Sequence, residues 1–239
     1  MLKIALDGGH GLHTAGKRCL KSLDPKETRE WWLNDRVCDY IQAKLAEYDG
    51  FELLRVDDFD DGSTDVPLAT RTQQANAWGA DVYISVHHNA GVNGTESGGI
   101  VVYTHPKASA ASDSWRDDLY AALIRHTGLR GNRVSPKLKE NYHVLRETNM
   151  PAVLLELGFM DSKTDVPIIL TDAHAQKCAA AIVEVLADRG KLTKKDQVQT
   201  EKWYLVQVGA FRVRSYAERL KAELVGKGYT DAFITEKAE

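Results

Sequence analysis

Residues 81–87 read DVYISVH, a short and mostly apolar run that predicts a strand buried within a sheet. Similar runs predict further strands at residues 3–6, 52–56, 99–105, 142–146 and 152–157. Segments with the helical repeat of apolar positions lie between them, at residues 29–48, 68–78, 114–127 and 173–189. This alternation predicts an α/β fold, with a mostly parallel twisted sheet flanked by helices on both faces.

The chain divides into one large domain and a short appendage. Its 239 residues, of which 43% are hydrophobic and 27% charged, are enough for one substantial core. Gly190 follows the last long helix and offers a left-handed cap, and the polar stretch after it has nothing to bury. We therefore predict a large α/β domain at residues 1–189, a linker at 190–202, and a small βαβ segment within 203–239 with elements at 203–208, 215–227 and 231–235.

Composition argues against several classes of partner. The net charge of −3 gives no attraction to nucleic acid, and no apolar stretch approaches the ~20 residues that insert into a membrane. The chain reaches Asp7 too soon for the apolar core of a signal peptide, so we expect a protein that is cytoplasmic as synthesised. Cys19, Cys38 and Cys178 are too widely spaced for a disulfide framework or a thiolate metal site, and we predict that they are packing residues.

Polar side chains with metal-binding chemistry lie next to the predicted strands. His10 follows the first strand, Glu27 and Glu30 open the first helix, and His87 and His88 end the third strand. The carboxyl ends of strands in an open α/β sheet surround a ligand crevice, where two imidazoles and one carboxylate would suit a catalytic zinc site. Only one of two successive strand residues can face a metal. Spacing alone does not choose between the two histidines or the two glutamates, and it leaves open that these are only solvated or capping residues.

Five ordered motifs carry a resemblance to a known family. They are GHG at residues 9–11, ExxxN at 30–34, LxxRxxxAN at 68–76, ADxxISVHxN at 80–89 and PAVLLELGF at 151–159. In this order they resemble the motifs of the Amidase_3 family, over a match that runs from about residue 3 to residue 189. The family comprises zinc-dependent N-acetylmuramoyl-L-alanine amidases. The resemblance therefore implies a zinc hydrolase that cuts the peptide stems off bacterial peptidoglycan.

The resemblance also assigns roles to individual side chains. It makes His10, Glu30 and His87 the zinc ligands, because the family has an asparagine four residues after its glutamate and a serine two residues before its histidine. It makes Glu156 the catalytic carboxylate, which would accept the proton of the attacking water and return it to the leaving amine. It assigns no substrate-binding residue.

Two segments depart from the family pattern. Residues 12–18, LHTAGKR, replace the usual glycine and Asp-Pro-Gly stretch and look like a variant seen in some phage lysins. Val134 follows Asn132 and Arg133 where the family has glycine. We keep His13 and His88 as candidates for groups that lie behind the metal ligands or contact the substrate.

The C-terminal segment resembles one half of a SPOR domain. Residues 203–211, WYLVQVGAF, with Ala217 and the pair Gly228 and Tyr229, match one of the usual two half-repeats. SPOR domains bind glycan strands stripped of peptides, which fits a peptidoglycan substrate. One half-repeat would leave strand edges unpaired, so we expect two copies to combine and form a homodimer through this segment.

Alternative functions share this scaffold. One is a wall-binding module with a vestigial catalytic centre, and another is a zinc hydrolase of small peptides. The four matched side chains favour an enzyme, and the SPOR-like segment favours a polymeric wall substrate. A phage endolysin that acts on the cell wall after release and a mother-cell sporulation autolysin are the two biological settings, and the loop variant at residues 12–18 favours the endolysin.

Overall fold

The computed structural model describes residues 1–195 and 206–236. The chain divides into two compact units, Met1–Lys195 and Asp196–Glu239. The predicted strand at 203–208 therefore lies partly outside the described residues.

The first unit contains all the described strands and most of the helices. The strands are β1 (Leu2–Gly8), β2 (Tyr48–Asp49), β3 (Phe51–Arg55), β4 (Val82–Asn89), β5 (Val101–Thr104), β6 (Lys137–Lys139), β7 (Ala152–Phe159) and β8 (Thr193–Lys194). The helices are α1 (Glu30–Leu45), α2 (Leu68–Trp78), α3 (Ala110–Thr127), α4 (His143–Arg146), α5 (Val166–Ile169) and α6 (Asp172–Gly190), and the second unit contains α7 (Arg214–Gly226). Among the described residues, no helix combines the length and apolar character needed to span a bilayer.

Six strands form the main sheet, in the order β3-β1-β4-β7-β5-β6. The first four are parallel, whereas β5 pairs antiparallel with β7 and β6 pairs parallel with β5. A central parallel strand is covered on both faces, which explains why β4 and β7 read as continuous apolar runs. The predicted α/β fold with a mostly parallel sheet is confirmed.

Helices cover both faces of this sheet. Successive residues of β4 belong to different cores, because Ile84 packs in the core with α1, α3 and α6, and Tyr83 packs in the core with α2 and α4. Cys19, Cys38 and Cys178 are free thiols buried in the first of these cores. The prediction that the cysteines are packing residues is confirmed.

The strand predicted at residues 142–146 is wrong. This segment contains the short helix α4, in which the adjacent residues Val144 and Leu145 are both buried. A strand would have turned one of the two away from the core. The Asn76 side chain also holds the chain after α4, since its Nδ2 donates to the Glu147 carbonyl at 2.8 Å and its Oδ1 accepts from the Asn149 N–H at 2.8 Å.

The predicted glycine cap of the last helix is also wrong. Gly190 is the last residue of α6, and Lys191 adopts the left-handed conformation, with φ of 50°. Gly190 packs closely instead, because a Cβ at this position would lie 2.8 Å from Leu2 Cδ2. The first residues of the predicted linker are ordered, since β8 pairs antiparallel with β2 and the first unit extends to Lys195.

The second unit has the predicted central helix, α7. The predicted strand at 231–235 is not formed, and residues 206–208 are not strand either. A strand requires a partner for its backbone hydrogen bonds, and within its described residues this unit supplies none.

A buried ion pair fixes the loop that follows β1. The Arg71 guanidinium on α2 contacts the Asp7 carboxylate and donates to the carbonyls of Gly8 at 2.7 Å and His10 at 3.0 Å. Ser85 Oγ on β4 donates to the other Asp7 oxygen at 2.7 Å. The loop that carries His10 is thus tied to both α2 and β4.

We expect Arg71→Met to lower the free energy of unfolding by about 3–5 kcal/mol, because it leaves the Asp7 carboxylate buried without its partner. Arg125→Met is the matched control, since Arg125 pairs with Glu184 at the surface and its loss should cost no more than about 1 kcal/mol. Urea unfolding of both variants measures the difference. Equal losses would contradict the role of the buried pair.

Candidate metal centre

Three side chains from separate segments meet at the carboxyl ends of β1 and β4. His10 follows β1, Glu30 is the first residue of α1, and His87 lies near the end of β4. One potential ligand atom from each lies within 4.8 Å of the others. The structure thus brings together the three side chains that the sequence predicted as metal ligands.

Unsatisfied polar atoms surround the centre of this cluster. Glu30 Oε1 lies 3.0 Å from His87 Nδ1 and 3.3 Å from His10 Nε2. His10 Nε2 and Glu30 Oε2 are buried, and neither makes a hydrogen bond within the described residues. Buried polar atoms normally have partners, so a cation bound between these groups would satisfy them. Two imidazoles and one carboxylate fit the ligand set of a catalytic zinc site.

The backbone of the loop after β1 brings the two imidazoles together. His10 has φ of 68°, in the left-handed region that is costly for a residue with a side chain. The rings of His10 and His87 meet edge to face, with centroids 4.9 Å apart. Gly9 permits this approach, because a Cβ there would lie 2.0 Å from His87 Cε1.

Glu30 belongs to the cluster, and Glu27 does not. Glu27 lies in the turn before α1, where its carboxylate pairs with Arg18 at 2.8 Å and Lys21 at 3.6 Å. Glu30 has a side chain that is 1% exposed, and its backbone N–H donates to the Lys17 carbonyl at 3.0 Å. Of the two glutamates that the sequence spacing left open, Glu30 is the one whose side chain lies with His10 and His87.

His88 points away from the cluster. Its Nδ1 donates to Asn34 Oδ1 at 2.8 Å, and Asn34 Nδ2 donates to the Gly9 carbonyl at 3.1 Å. Burial, with a smaller effect of His174, lowers the pKa of His88 to about 3, so this ring is neutral. His88 and Asn34 therefore support the loop from behind, whereas His13 is exposed.

Glu156 lies beside the cluster on β7. It is the register partner of His87, so both side chains project from the same face of the sheet. Glu156 is 9% exposed, and its Oε2 makes no hydrogen bond within the described residues. An unpaired carboxylate is costly to bury, which points to a chemical role at this position.

Burial and neighbouring groups give the two carboxyl groups different proton affinities. Burial raises the pKa of Glu156 to about 8, although His87 opposes this shift. Burial also disfavours ionised Glu30, but the adjacent His10 and His87 imidazoles outweigh it and hold the pKa of Glu30 well below its usual range. Glu30 is therefore suited to bind a cation, and Glu156 to exchange a proton.

The segment that contains Val134, the second departure from the family pattern, packs near the end of β7. Asn132 Nδ2 donates to Ser97 Oγ at 3.3 Å, and the Arg133 guanidinium lies 4.7 Å from the centroid of the Phe159 ring. Val134 is fully exposed. The substitution of valine for glycine therefore places an apolar side chain in solvent.

Arg71 and Lys17 contact the site loop or its ligands, but the sequence alone does not indicate these roles. Arg71 lies in the motif at residues 68–76, and its partner Asp7 is distant in sequence. Lys17 lies in the variant loop at residues 12–18, and its Nζ lies 3.8 Å from Glu30 Oε2. One sequence feature could have indicated a role for Arg71: the predicted helix at residues 68–78 contains no acidic residue that could pair with it. The sequence contains no comparable signal for Lys17.

The fold and the site together define a class of protein. Two imidazoles and two carboxylates at the carboxyl edge of a parallel sheet are the groups expected of a metal-dependent hydrolase. The Amidase_3 family model, described as N-acetylmuramoyl-L-alanine amidase, matches residues 4–188, and the chain belongs to this family. The predicted enzyme class is thereby confirmed. The SPOR domain model matches residues 200–239, which confirms the resemblance of the C-terminal segment.

Individual relatives agree with the family. The chain is 33% identical over 234 residues to the N-acetylmuramoyl-L-alanine amidase CwlM of Bacillus licheniformis, covering 98% of this chain and 85% of the relative. It is 31% identical to a sporulation-specific N-acetylmuramoyl-L-alanine amidase of Bacillus subtilis, covering 96% and 83%. The crystal structure of an N-acetylmuramoyl-L-alanine amidase from Clostridium difficile 630 superposes with a TM-score of 0.70 at 26% identity, covering 78% of this chain and 95% of that one.

In protein stripped of divalent metal, we expect the free energy of unfolding to fall as the pH rises, because Glu156 loses its proton. Its folded pKa of about 8 lies above the ordinary value of 4.5. The protonated carboxyl group therefore contributes stability that is fully present below about pH 4.5 and is lost as the pH rises through about 8. Glu156→Gln should remove this component. Urea unfolding of both proteins across this pH range tests the expectation, and a stability difference that does not change with pH would contradict it.

Proposed function

We propose that this protein hydrolyses the amide bond between N-acetylmuramic acid and L-alanine in bacterial peptidoglycan, with zinc as its cofactor. The observation that carries the proposal is the convergence of His10, Glu30 and His87 with Glu156 beside them, in a chain that belongs to the amidase family.

The three converging residues would hold the zinc ion. Three protein ligands leave one position open, as in catalytic zinc sites. Zinc bound there supplies Lewis acidity that polarises the scissile carbonyl and lowers the pKa of water. His88 and Asn34 keep the ligand loop in place from behind, through the contact between Asn34 and the Gly9 carbonyl. Preorganised ligands of this kind need little rearrangement during turnover.

Glu156 would transfer the proton. Its carboxylate accepts a proton from the attacking water, and the water oxygen forms a bond to the lactyl carbonyl carbon of muramic acid. When the C–N bond breaks, the same carboxyl group returns the proton to the L-alanine amine. A pKa raised by burial toward neutrality suits a group that must both accept and donate.

The alternative functions have less support. A vestigial wall-binding module would not require three potential metal ligands with Glu156 beside them, three of these four side chains having a buried atom without a hydrogen-bond partner among the described residues. A hydrolase of small peptides would have no use for a SPOR domain, and the match at residues 200–239 favours a polymeric wall substrate.

The biological setting has two candidates, both of which act on the wall after release from the compartment of synthesis. The loop variant at residues 12–18 favours a phage endolysin. The similarity to a sporulation-specific amidase supports a mother-cell autolysin instead.

We expect His10→Ala and His87→Ala each to lose zinc, because each removes one of only three protein ligands. Elemental analysis of the purified proteins measures the metal content. His13→Ala is the control, since it removes an exposed histidine of the same loop and should retain the metal. Active native protein without any transition metal, or full zinc content in both ligand variants, would show that the assignment is wrong.

Glu156→Gln should keep the fold and the metal but lower turnover by about 10²–10⁴-fold, because it removes the proton acceptor and preserves the shape. Digestion of purified sacculi measures this. The native protein should release new L-alanine amino termini without new reducing ends. New reducing ends would indicate cleavage of the glycan and refute the proposed bond, and near-native turnover by the variant would mean that another group is the base.

The C-terminal unit exposes large apolar side chains that a second copy could cover. Val206 is 83% exposed, Tyr229 62% and Phe233 60%. We expect the full chain to be a dimer through this unit, and removal of residues 201–239 to give a monomer that still cleaves soluble fragments but attaches less to walls. Light scattering decides the matter. A monomeric full chain, or a dimer that survives the truncation, would rule out the pairing.

A further inference from the structure

Lys17 places a cation at the rim of the metal centre. Its Nζ lies 3.8 Å from Glu30 Oε2, and its side chain is 43% exposed. Among the described residues, Nζ makes no hydrogen bond, so its donors are available to a molecule that enters the site. Lys17 is also one of the charged groups that act on the Glu156 carboxyl.

The backbone at Lys17 is fixed. Its carbonyl accepts from the Glu30 N–H at 3.0 Å, and its own N–H donates to the Thr14 carbonyl at 3.3 Å. Thr14 is anchored in turn, because its Oγ1 donates to Asp65 at 2.6 Å and its carbonyl accepts from the Arg29 guanidinium. The loop therefore holds the Lys17 side chain next to the ligand Glu30 and does not leave it on a loose surface segment.

The neighbouring cations are committed elsewhere. Arg18 lies 2.8 Å and Lys21 3.6 Å from the Glu27 carboxylate, and Arg29 donates to backbone carbonyls. Among the described residues, Lys17 forms an ion pair only with Glu30, whose charge would be offset by a bound cation. Unlike Arg18, Lys21 and Arg29, Lys17 then has a charge that is available to a substrate.

The substrate chemistry indicates what this cation would bind. The peptide stems of peptidoglycan carry carboxylates, which a cation at the rim of the site would attract. On the sugar side, the lactyl carboxyl group is the scissile carbonyl itself, so the free carboxylates lie on the amine side. An extended chain spans about 3.5 Å per residue. The carboxylate of the residue after L-alanine is therefore within about 7 Å of the cut bond, close enough for a lysine beside a metal ligand to reach.

We propose that Lys17 is a substrate-contacting residue that binds the α-carboxylate of the second stem residue and makes the enzyme favour stems in which this group is a free acid over those in which it is an amide. This inference rests on the proposed amidase function and adds a specificity determinant to it. At 3.8 Å from Glu30 Oε2, the Lys17 ammonium group is close enough for an ion pair but too far for a hydrogen bond.

The test compares two synthetic substrates with three proteins. The substrates are N-acetylmuramoyl-L-alanyl-D-glutamate with a blocked γ-carboxyl group, and the same compound with its α-carboxylate converted to the amide. The proteins are native, Lys17→Gln and Lys21→Gln, the last being the same change of charge in the same loop. The measurements are kcat and KM for each pair, together with the zinc content of each protein.

Native protein and Lys21→Gln should both prefer the acid. Lys17→Gln should lose about tenfold in kcat/KM on the acid, mainly through KM, and little on the amide, because one charge-assisted hydrogen bond at a half-exposed position is worth about this factor. Its zinc content should be unchanged.

Other outcomes overturn the inference. Equal losses on both substrates, or loss of zinc in Lys17→Gln, would mean that Lys17 supports Glu30 or the reaction centre. Equal native rates on the acid and the amide would show that no carboxylate is bound, while leaving the proposed amidase function intact. If the native protein hydrolyses sacculi but neither of the two small substrates, the carboxylate contact does not drive binding. If it hydrolyses neither sacculi nor the small substrates, the proposed function itself fails.

Discussion

The parallel pairing of β1, β4 and β7 is the constraint on which the candidate site depends. Because these strands run in one direction, residues at or beyond their carboxyl ends meet at a single edge of the sheet. The register that pairs His87 with Glu156 sets a metal-ligand candidate and the proposed base side by side. A slip of one residue would turn one of them to the opposite face. Apolar side chains on both faces of β4 and β7 hold that register.

The site itself contains two features that lower the stability of a fold. His10 has a left-handed backbone, and Glu156 has a buried oxygen without a partner. Such features persist where surrounding contacts impose them. Here the ion pair of Arg71 with Asp7 ties down the loop from one side, and Asn34 with His88 does so from the other. Arg71 and Asn34 both lie in motifs that resemble the family pattern, at residues 68–76 and 30–34.

Much of the fold followed from the sequence, because apolar runs and helical repeats report burial directly. The helix predicted at residues 68–78 has these bounds in the structure. Residues 142–146 were mistaken for a strand because a four-residue helix has no detectable period. In the site, spacing placed histidines and glutamates at one edge, but the choice of Glu30 over Glu27 came from the family resemblance. The position of Lys17 depends on the path of a loop, which the local sequence pattern does not determine. The pairing of Arg71 with Asp7 joins residues that are distant in sequence, so it could not be predicted from local pattern either.

The central claim is that His10, Glu30 and His87 bind one zinc ion beside Glu156. Anomalous diffraction at the zinc absorption edge, from crystals grown without added metal, tests it most directly. The account predicts a single peak bonded to these three side chains at about 2.0–2.2 Å. An anomalous peak ligated by other residues, or none in catalytically active protein, would contradict it.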